Sequence, residues 1–463
     1  MRGPGTLRRN ARMARRALSL AAAILALFAA PDPASARTVI TLAGAAPGDT
    51  FGGAVACAGD VDGDGLADII VGAHQNDAGG MDAGRAYIYL GGSRPDGKPD
   101  FVLTGEAAGD LFGASVSSAG DVNKDGYADL LVGAYENDYR GANAGRAYLY
   151  FGGPRADAKP DLVLSGEAAG DAFGYSVSTA GDVNGDGFAD LLVGAYENSA
   201  RGAGAGRAYV YYGGPRPDDR PDLILSGEAP HDLFGISVAA AGDVNGDSYS
   251  DLIVGAYQHD AGGRDAGRAY VYFGGPRADE RPDLVLTGAA AGDLFGFSVA
   301  SAGDVNRDGV ADMIVGAYHN DAGGADAGRA YVYFGSRNPD GVADLVVTGE
   351  SAGDAFGYSV ASMGDMNGDG FADVIVGAYG NDVGGPASGR AYTYYGGVLP
   401  DAVADFTVTG EKTLDNLGYA VSSAGDFDGD GSAEAIVAAP FADAGRAYVT
   451  KPVGGRAKPV AER

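Results

Sequence analysis

The stretch DVNKDGYAD (121–129) sets Asp121, Asn123 and Asp125 at alternate positions, a glycine at Gly126 and a further carboxylate at Asp129. Calcium takes six to eight oxygen ligands at about 2.3–2.6 Å, mixing carboxylates, amide oxygens and backbone carbonyls. Positions 1, 3 and 5 aim their oxygens inward as the chain turns. Glycine at position 6 allows a bend that a Cβ resists, and the carbonyl of Tyr127 at position 7 is available as another ligand. The same spacing gives Asp60, Asp62, Asp64, Leu66 and Asp68; Asp182, Asn184, Asp186, Phe188 and Asp190; Asp304, Asn306, Asp308, Val310 and Asp312; and Asp365, Asn367, Asp369, Phe371 and Asp373. A fourth copy, Asp243, Asn245, Asp247, Tyr249 and Asp251, has Ser248 at the bend. The seventh, Asp426, Asp428, Asp430 and Ser432, ends in the longer Glu434. Up to seven Ca2+ ions are expected, with weaker binding in the fourth and seventh copies. A single such stretch also suits a turn whose Asp and Asn side chains bond only their own backbone; seven in register favour a metal.

The first aspartate of each copy recurs every 61 residues, from Asp60 to Asp426, so one unit repeated seven times accounts for nearly the whole chain. Self-similarity at a fixed period marks a repeat architecture rather than several domains. Within a unit the chain reads as four short strands, FGASVSSAGD, ADLLVGA, GRAYLYF and PDLVLSG, separated by Gly, Pro, Asp and Asn clusters. Four strands per unit imply an all-β, seven-bladed β-propeller with four antiparallel strands per blade; an open solenoid is the rival. Two features favour a closed ring. The strand that starts at FG consists of Gly, Ala, Ser and Val, which suits the crowded axis. The seventh unit stops after GRAYVTK (445–451), and its missing strand has a counterpart in TVITLAG (38–44) near the N-terminus. The last blade is therefore expected to be closed by the N-terminal strand, which also removes a free sheet edge. Blades are expected at about 50–105, 111–166, 172–227, 233–288, 294–349, 355–410 and 416–450 plus 38–44.

Six arginines (Arg2, Arg8, Arg9, Arg12, Arg15, Arg16) precede the apolar run 17–30 and then Ala34-x-Ala36, the layout of a signal peptide spanning 1–36. Arg15-Arg16 leaves the twin-arginine route open beside the general one. Cleavage would remove six positive charges and Asp32, taking the formal net charge from −29 to −34. Such a chain repels nucleic acid and attracts cations. A secreted or periplasmic product without a membrane span is expected, running from 37 to 451 with a tail at 452–463. Cys57, the one cysteine, cannot form an internal disulfide; it reads as a small buried filler. Metal loops are then the available braces.

The order FGASV, GDVNKDGYADLLVGAY, GRAYLYFGG and LVLSGE resembles the FG-GAP repeat of integrin α-subunit propellers and of bacterial secreted proteins. The resemblance covers about residues 38–451. It implies calcium loops on the lower face between the first two strands, ligand-facing loops on the upper face, and closure by an N-terminal strand. The proline of the family name is replaced by Tyr135, Tyr196, Tyr257, Tyr318 and Tyr379, and by His74; Pro440 keeps it. The constant spacing leaves no room for an inserted adhesion domain, so pairing with a β-subunit is not implied.

The tyrosines, with Asp77, Asp138, Asp260, Asp321 and Asp382, are expected on the upper face, either as a sugar-binding surface or as wedges between blades. Seven arginines (Arg85, Arg146, Arg207, Arg268, Arg329, Arg390, Arg446) are expected to pair with carboxylates at blade junctions. The four histidines (His74, His231, His259, His319) make neither a zinc spacing nor a triad. These features point to a binding or adhesion module for an extracellular protein or glycan, without catalytic residues. A hydrolase-associated or glycan-processing propeller, or a purely structural surface protein, are the alternatives; oligomeric state is not legible.

Overall fold

The structure, a computed structural model, describes residues 34–452. The expected signal peptide up to Pro33 and the tail after Pro452 lie outside the described residues. Blade one has an inner strand Ala54–Gly59, a second strand Asp68–Ala73, a third strand Arg85–Tyr89 and an outer strand Phe101–Thr104, hydrogen-bonded in that order and antiparallel throughout. The same order recurs through blade six. The seven-bladed propeller read from the period is the fold observed.

Burial explains which sequence forms which strand. Every second strand, such as DIIVGA (68–73) or DLLVGA (129–134), is buried along its whole length. A strand covered on both faces needs a continuous apolar run rather than alternation, and neighbouring blades supply the two covers. The core is accordingly divided into seven clusters, one at each seam between blades. Phe51, Phe112, Phe173, Phe234, Phe295 and Phe356 sit at these seams, at most 1% exposed. Each meets a third-strand tyrosine edge-on, as Phe112 meets Tyr148 at 5.4 Å between centroids. The glycine after each of these phenylalanines is also required: Gly113 has φ +86°, and a Cβ there would overlap the carbonyl of Arg85 in the preceding blade.

Inner strands line a central cavity of about 440 Å³, bordered by Ser115, Ser176, Ser237, Ser298 and Ser359. Small hydroxyls suit the axis because they bond to the inner strand of the adjacent blade: Ser115 Oγ donates to Gly174 O at 2.8 Å, and Val238 N–H donates to Ser176 Oγ at 3.1 Å. Cys57, expected to be buried, is only partly so. It stands where other blades have Ser118, Ser301, Ser362 or Ser423, whose hydroxyls accept a glycine N–H two residues on.

Blade seven supplies three strands, Ala420–Gly425, Glu434–Ala439 and Arg446–Pro452, and the fourth place is taken by the N-terminal strand Ala34–Ala43. Its antiparallel register runs from Ala36↔Pro452 through Arg37↔Lys451 to Ala43↔Arg446. The strand begins upstream of the expected segment 38–44, and its first residues, Ala34 and Ser35, pair in parallel with Phe406 and Thr407 of blade six. Cleavage after Ala36 would remove that parallel extension and leave the antiparallel ladder from Arg37 onward. Leu42 of this strand is fully buried in the seam between blades seven and one, whereas its neighbour Thr41 is exposed.

Leu42→Ala is expected to cost about 2–5 kcal/mol, seen as a lower melting temperature. Thr41→Ala is expected to stay within about 0.5 kcal/mol. Equal effects from the two would show that the closing strand does not seal the core.

Candidate metal loops and the channel mouth

Each acidic loop joins the inner strand to the second strand. In blade one the Asp60 carboxylate accepts the N–H groups of Gly63 at 2.7 Å, Asp64 at 3.1 Å and Gly65 at 2.9 Å. Asp62 accepts from Asp64, and Asp64 accepts from Leu66. The alternation of acceptor oxygens at positions 1, 3 and 5 thus wraps the turn's N–H groups around them. A carboxylate offers about four lone-pair sites, so these bonds order the oxygens without exhausting them. Blades two to six repeat the pattern around Asp121, Asp182, Asp243, Asp304 and Asp365. At position 7, Tyr127, Phe188, Tyr249, Val310, Phe371 and Ser432 each donate an N–H to the position-5 carboxylate.

Position 9 starts the second strand and is the buried member. Asp129, Asp190, Asp251, Asp312 and Asp373 are 0% exposed and Asp68 is 1%. In each, one oxygen accepts the position-2 N–H (Asp68 from Val61 at 2.7 Å) and the other accepts a glycine N–H beyond the third strand (Asp68 from Gly91 at 2.7 Å). Loss of water pushes these carboxyls up, Asp68 to about 6 and Asp129, Asp190, Asp251, Asp312 and Asp373 to about 7, against the backbone bonds that favour ionisation. Neighbouring loop aspartates raise them further. A cation in the loop would counter both penalties.

The loops are not equivalent. Among the described residues, three carboxylates come within 4.8 Å of one another in two places: Asp60, Asp62 and Asp68, and Asp426, Asp428 and Glu434. In blades two to five the position-3 asparagine turns its amide N–H to the position-5 carboxylate, as Asn123 Nδ2 does to Asp125 at 3.0 Å. In blade six the Asn367 Nδ2 is buried without a partner. Blade one therefore has the donor set and spacing that fit a divalent cation most directly. In blade four Ser248 occupies the bend at φ +74°, where the other six loops have glycine. In blade seven Asp426 Oδ1 and Asp428 Oδ1 are buried without a hydrogen bond, and the Lys451 ammonium lies against Asp428, Asp430 and Glu434.

The loops also stitch the seams. The position-1 carbonyl of one blade accepts the position-8 N–H of the next: Asp60 from Ala128 at 2.9 Å, Asp243 from Ala311 at 2.9 Å, and Asp426 from Ala67 at 3.3 Å across the closure. At position 4, Lys124 lies over the Phe188 ring and Arg307 over the Phe371 ring of the following loop. Ordering one loop therefore orders the edge of its neighbour.

On the opposite face, a trio that sequence reading missed, repeated in whole or in part, holds the upper loops of blades one, two, five and six. Asn137 Nδ2 donates to Asp110 at 2.8 Å and lies 3.4 Å from Tyr148 Oη, with Asn137 and Asp110 5% and 4% exposed. Asn76 with Asp49, Asn320 with Asp293 and Asn381 with Asp354 repeat the bond. The junction aspartate recurs at the 61-residue period, which was the available signal. Blade four puts His259 in the asparagine's place, 3.2 Å from Glu228. The aspartates expected beside the tyrosines brace the same loops: Asp77, Asp138, Asp260, Asp321 and Asp382 each accept an N–H five residues on.

The arginines pair as expected wherever a glutamate stands 40 residues earlier: Arg146–Glu106, Arg207–Glu167, Arg268–Glu228 and Arg390–Glu350, at 2.7–3.0 Å. Ala45 and Ala289 occupy that place for Arg85 and Arg329, which bond Thr104 and Thr348 instead. Arg446 pairs with Asp443 at 2.6 Å.

At the upper mouth of the channel the tyrosines contact the following blade: Tyr135 meets Tyr175 at 5.1 Å, Tyr257 meets Phe297 at 5.4 Å and Tyr379 meets Tyr419 at 5.9 Å. Tyr196 packs on Tyr175 of its own blade. The wedge reading describes these contacts, yet the rings remain half-buried. The inner wall is aromatic at Tyr175, Phe297, Tyr358 and Tyr419 but carries Gly53 and Ala114 in blades one and two, beside His74. The upper loop of blade seven is short, 440–445 against 74–84 in blade one. The mouth is therefore lopsided.

A family model described as FG-GAP repeat matches residues 51–89, 112–150, 173–211, 234–272, 295–333, 356–394 and 417–450. Integrin alpha-5 of Xenopus laevis is 34% identical over 222 residues, which is 45% of this chain and 20% of that protein. Integrin alpha-PS2 of Drosophila melanogaster is 33% identical over 46% of this chain and 16% of its own length. Integrin alpha-IIb of Homo sapiens is 39% identical over 34% of this chain and 16% of its own length. The chain spans a fifth or less of the length of these relatives. A solved structure described as BBS1N in complex with ARL6DN, soaked with mercury, shares the fold at a TM-score of 0.53 and 10% identity, covering 91% of this chain and 98% of that one.

Ser248→Gly removes a left-handed non-glycine residue, whose strain is about 1–2 kcal/mol. After the added freedom of the unfolded chain, a gain of about 0.5–1 kcal/mol in thermal stability is expected. Asn137→Ala strips Asp110 of a buried donor and should cost about 1–3 kcal/mol. An unchanged melting temperature would dismiss the trio as a structural element.

Proposed function

The chain belongs to the FG-GAP repeat family, and from that premise we propose that it is a secreted, calcium-braced propeller that binds an extracellular protein or glycan at its upper channel mouth. Among the described residues no helix is long and apolar enough to cross a membrane. The likeness to integrin α chains supports a ligand-binding or adhesion module and divalent cations in the loops.

The observation that carries the ligand face is the set of aromatic rings left half-buried around a mouth that is open on the side of blades one and two. Rings packed edge-on yet partly exposed present apolar faces next to hydroxyls and amides, the combination that suits a sugar ring or a protein side chain. Asp77, Asp138, Asp260, Asp321 and Asp382 of the upper loops are spent on accepting backbone N–H groups, which favours binding over acid–base chemistry at those positions. Glycan and matrix-protein arrays, probed with the full chain, test this. Tyr175→Ala and Tyr135→Ala are expected to weaken a hit at least tenfold when assayed well below the melting temperature of each variant, which falls because both rings also pack at the seam of blades two and three. Retained binding in both variants would move the ligand elsewhere.

Calcium acts on stability by binding only the folded loops. At ten times its Kd each site adds about 1.4 kcal/mol. Melts in calcium are expected to lie well above melts in chelator and to return to the higher value when calcium is restored. Coincident curves would defeat the brace.

A further inference from the structure

Blade seven departs from the other six at Glu434, Thr450 and Lys451, and two of these, Glu434 and Lys451, meet in space. Its loop ends in Glu434 instead of aspartate. Its third strand has Thr450 where the others have Tyr89, Tyr150, Tyr211, Tyr272, Tyr333 and Tyr394. Next to it stands Lys451, where the others have Leu90, Phe151, Tyr212, Phe273, Phe334 and Tyr395.

The closing strand fixes where Lys451 points. In the first six blades the chain continues past this residue into an outer strand, and its N–H donates to an aspartate ten residues on, as Leu90 does to Asp100. In blade seven the N-terminal strand takes the outer place instead, and Lys451 is held in register opposite its Arg37. Its side chain is 15% exposed, and its Nζ lies 2.5 Å from Asp428 Oδ2, 2.6 Å from Asp430 Oδ2 and 3.5 Å from Glu434 Oε1. Glu434 is 0% exposed; its Oε2 accepts the Phe427 N–H at 3.0 Å, and its Oε1 makes no hydrogen bond and faces the ammonium as an ion pair.

Charge fits the same picture. The seventh loop has four carboxylates, against three and an asparagine in blades two to six. One ammonium brings it level with those loops before any metal binds. Blade one is the internal comparison: it also has four carboxylates, but Leu90 stands where blade seven has Lys451. An ammonium donates three hydrogen bonds and accepts none, and here its site is shared by three side chains that a divalent cation would need as ligands.

We propose that the Lys451 ammonium is the resident cation of the seventh loop, so that the closing blade is braced by its own side chain and takes no divalent ion. The proposal rests on the reading that the other loops take calcium only for its contrast, and the two fail separately. Calcium bound per chain would be counted by calorimetry and native mass spectrometry for the wild type, Lys451→Met and Lys451→Arg. Lys451→Met is expected to bind one ion more than the wild type, to melt lower in chelator and to recover in calcium; Lys451→Arg should match the wild-type count. Equal counts in wild type and Lys451→Met overturn the proposal whatever their value. A wild type that binds none beside a Lys451→Met chain that binds one defeats the calcium reading of the other loops and leaves this one standing. Amine acetylation of the wild type, read at Lys451 by mass spectrometry, needs no variant to fold. Equal protection in calcium and in chelator is expected, and a rise in labelling on adding calcium means the ion displaces the ammonium, which overturns it.

Discussion

No blade can bury its own faces. Each second strand is apolar on both sides and needs a neighbour to left and right, so the seven seam clusters exist only in a closed ring. That requirement orders the rest of the molecule. It demands glycine where third-strand carbonyls press against the next blade, serines where inner strands meet, and a strand borrowed from the N-terminus where the last blade runs short. A ring built this way concentrates its stability at junctions, and both polar systems, the acidic loops below and the Asn–Asp pairs above, lie across those junctions.

The lower loops illustrate how an electrostatic liability is placed where it is useful. Three or four carboxylates gathered at a hairpin repel one another, and the innermost is deprived of water. The backbone takes up part of the load through N–H donors from the same turn and from beyond the third strand. What remains is a demand for positive charge at each seam. Six loops leave it open to solvent cations, while the seventh has an ammonium already on it. The loop carbonyls that accept from the following blade then connect local charge balance to the integrity of the ring.

Much of this was legible in the sequence. The 61-residue period, the strand order, the small inner strand and the pairing of arginines with glutamates all follow from local composition plus repetition. The two places where glutamate gives way to Ala45 and Ala289 even account for the arginines that turn to threonine. Contacts between residues far apart in the chain were harder to read. The asparagine of the upper loop finds an aspartate 27 residues earlier, across a seam, and nothing in a local pattern distinguishes that aspartate from an ordinary turn residue. Cys57 read as a buried filler at a place where other units have serine, but it is only partly buried in its inner strand. Lys451 read only as the last residue of the seventh unit's third strand; the register set by the N-terminal strand holds it opposite Arg37.

That N-terminal strand has a bearing on how the molecule is made. Arg37 to Ala43 are among the first residues of the propeller to be synthesised, and their partners, Arg446 to Lys451, are among the last. For most of synthesis this ribbon has no edge to join, while six blades can stack in order behind it. Contacts of such long sequence separation form slowly because the loop-closure entropy precedes the reward. Assembly thus finishes at a single clasp joining the two ends of the chain, and a molecule cut short anywhere before residue 446 is an open arc with two unsatisfied flanks.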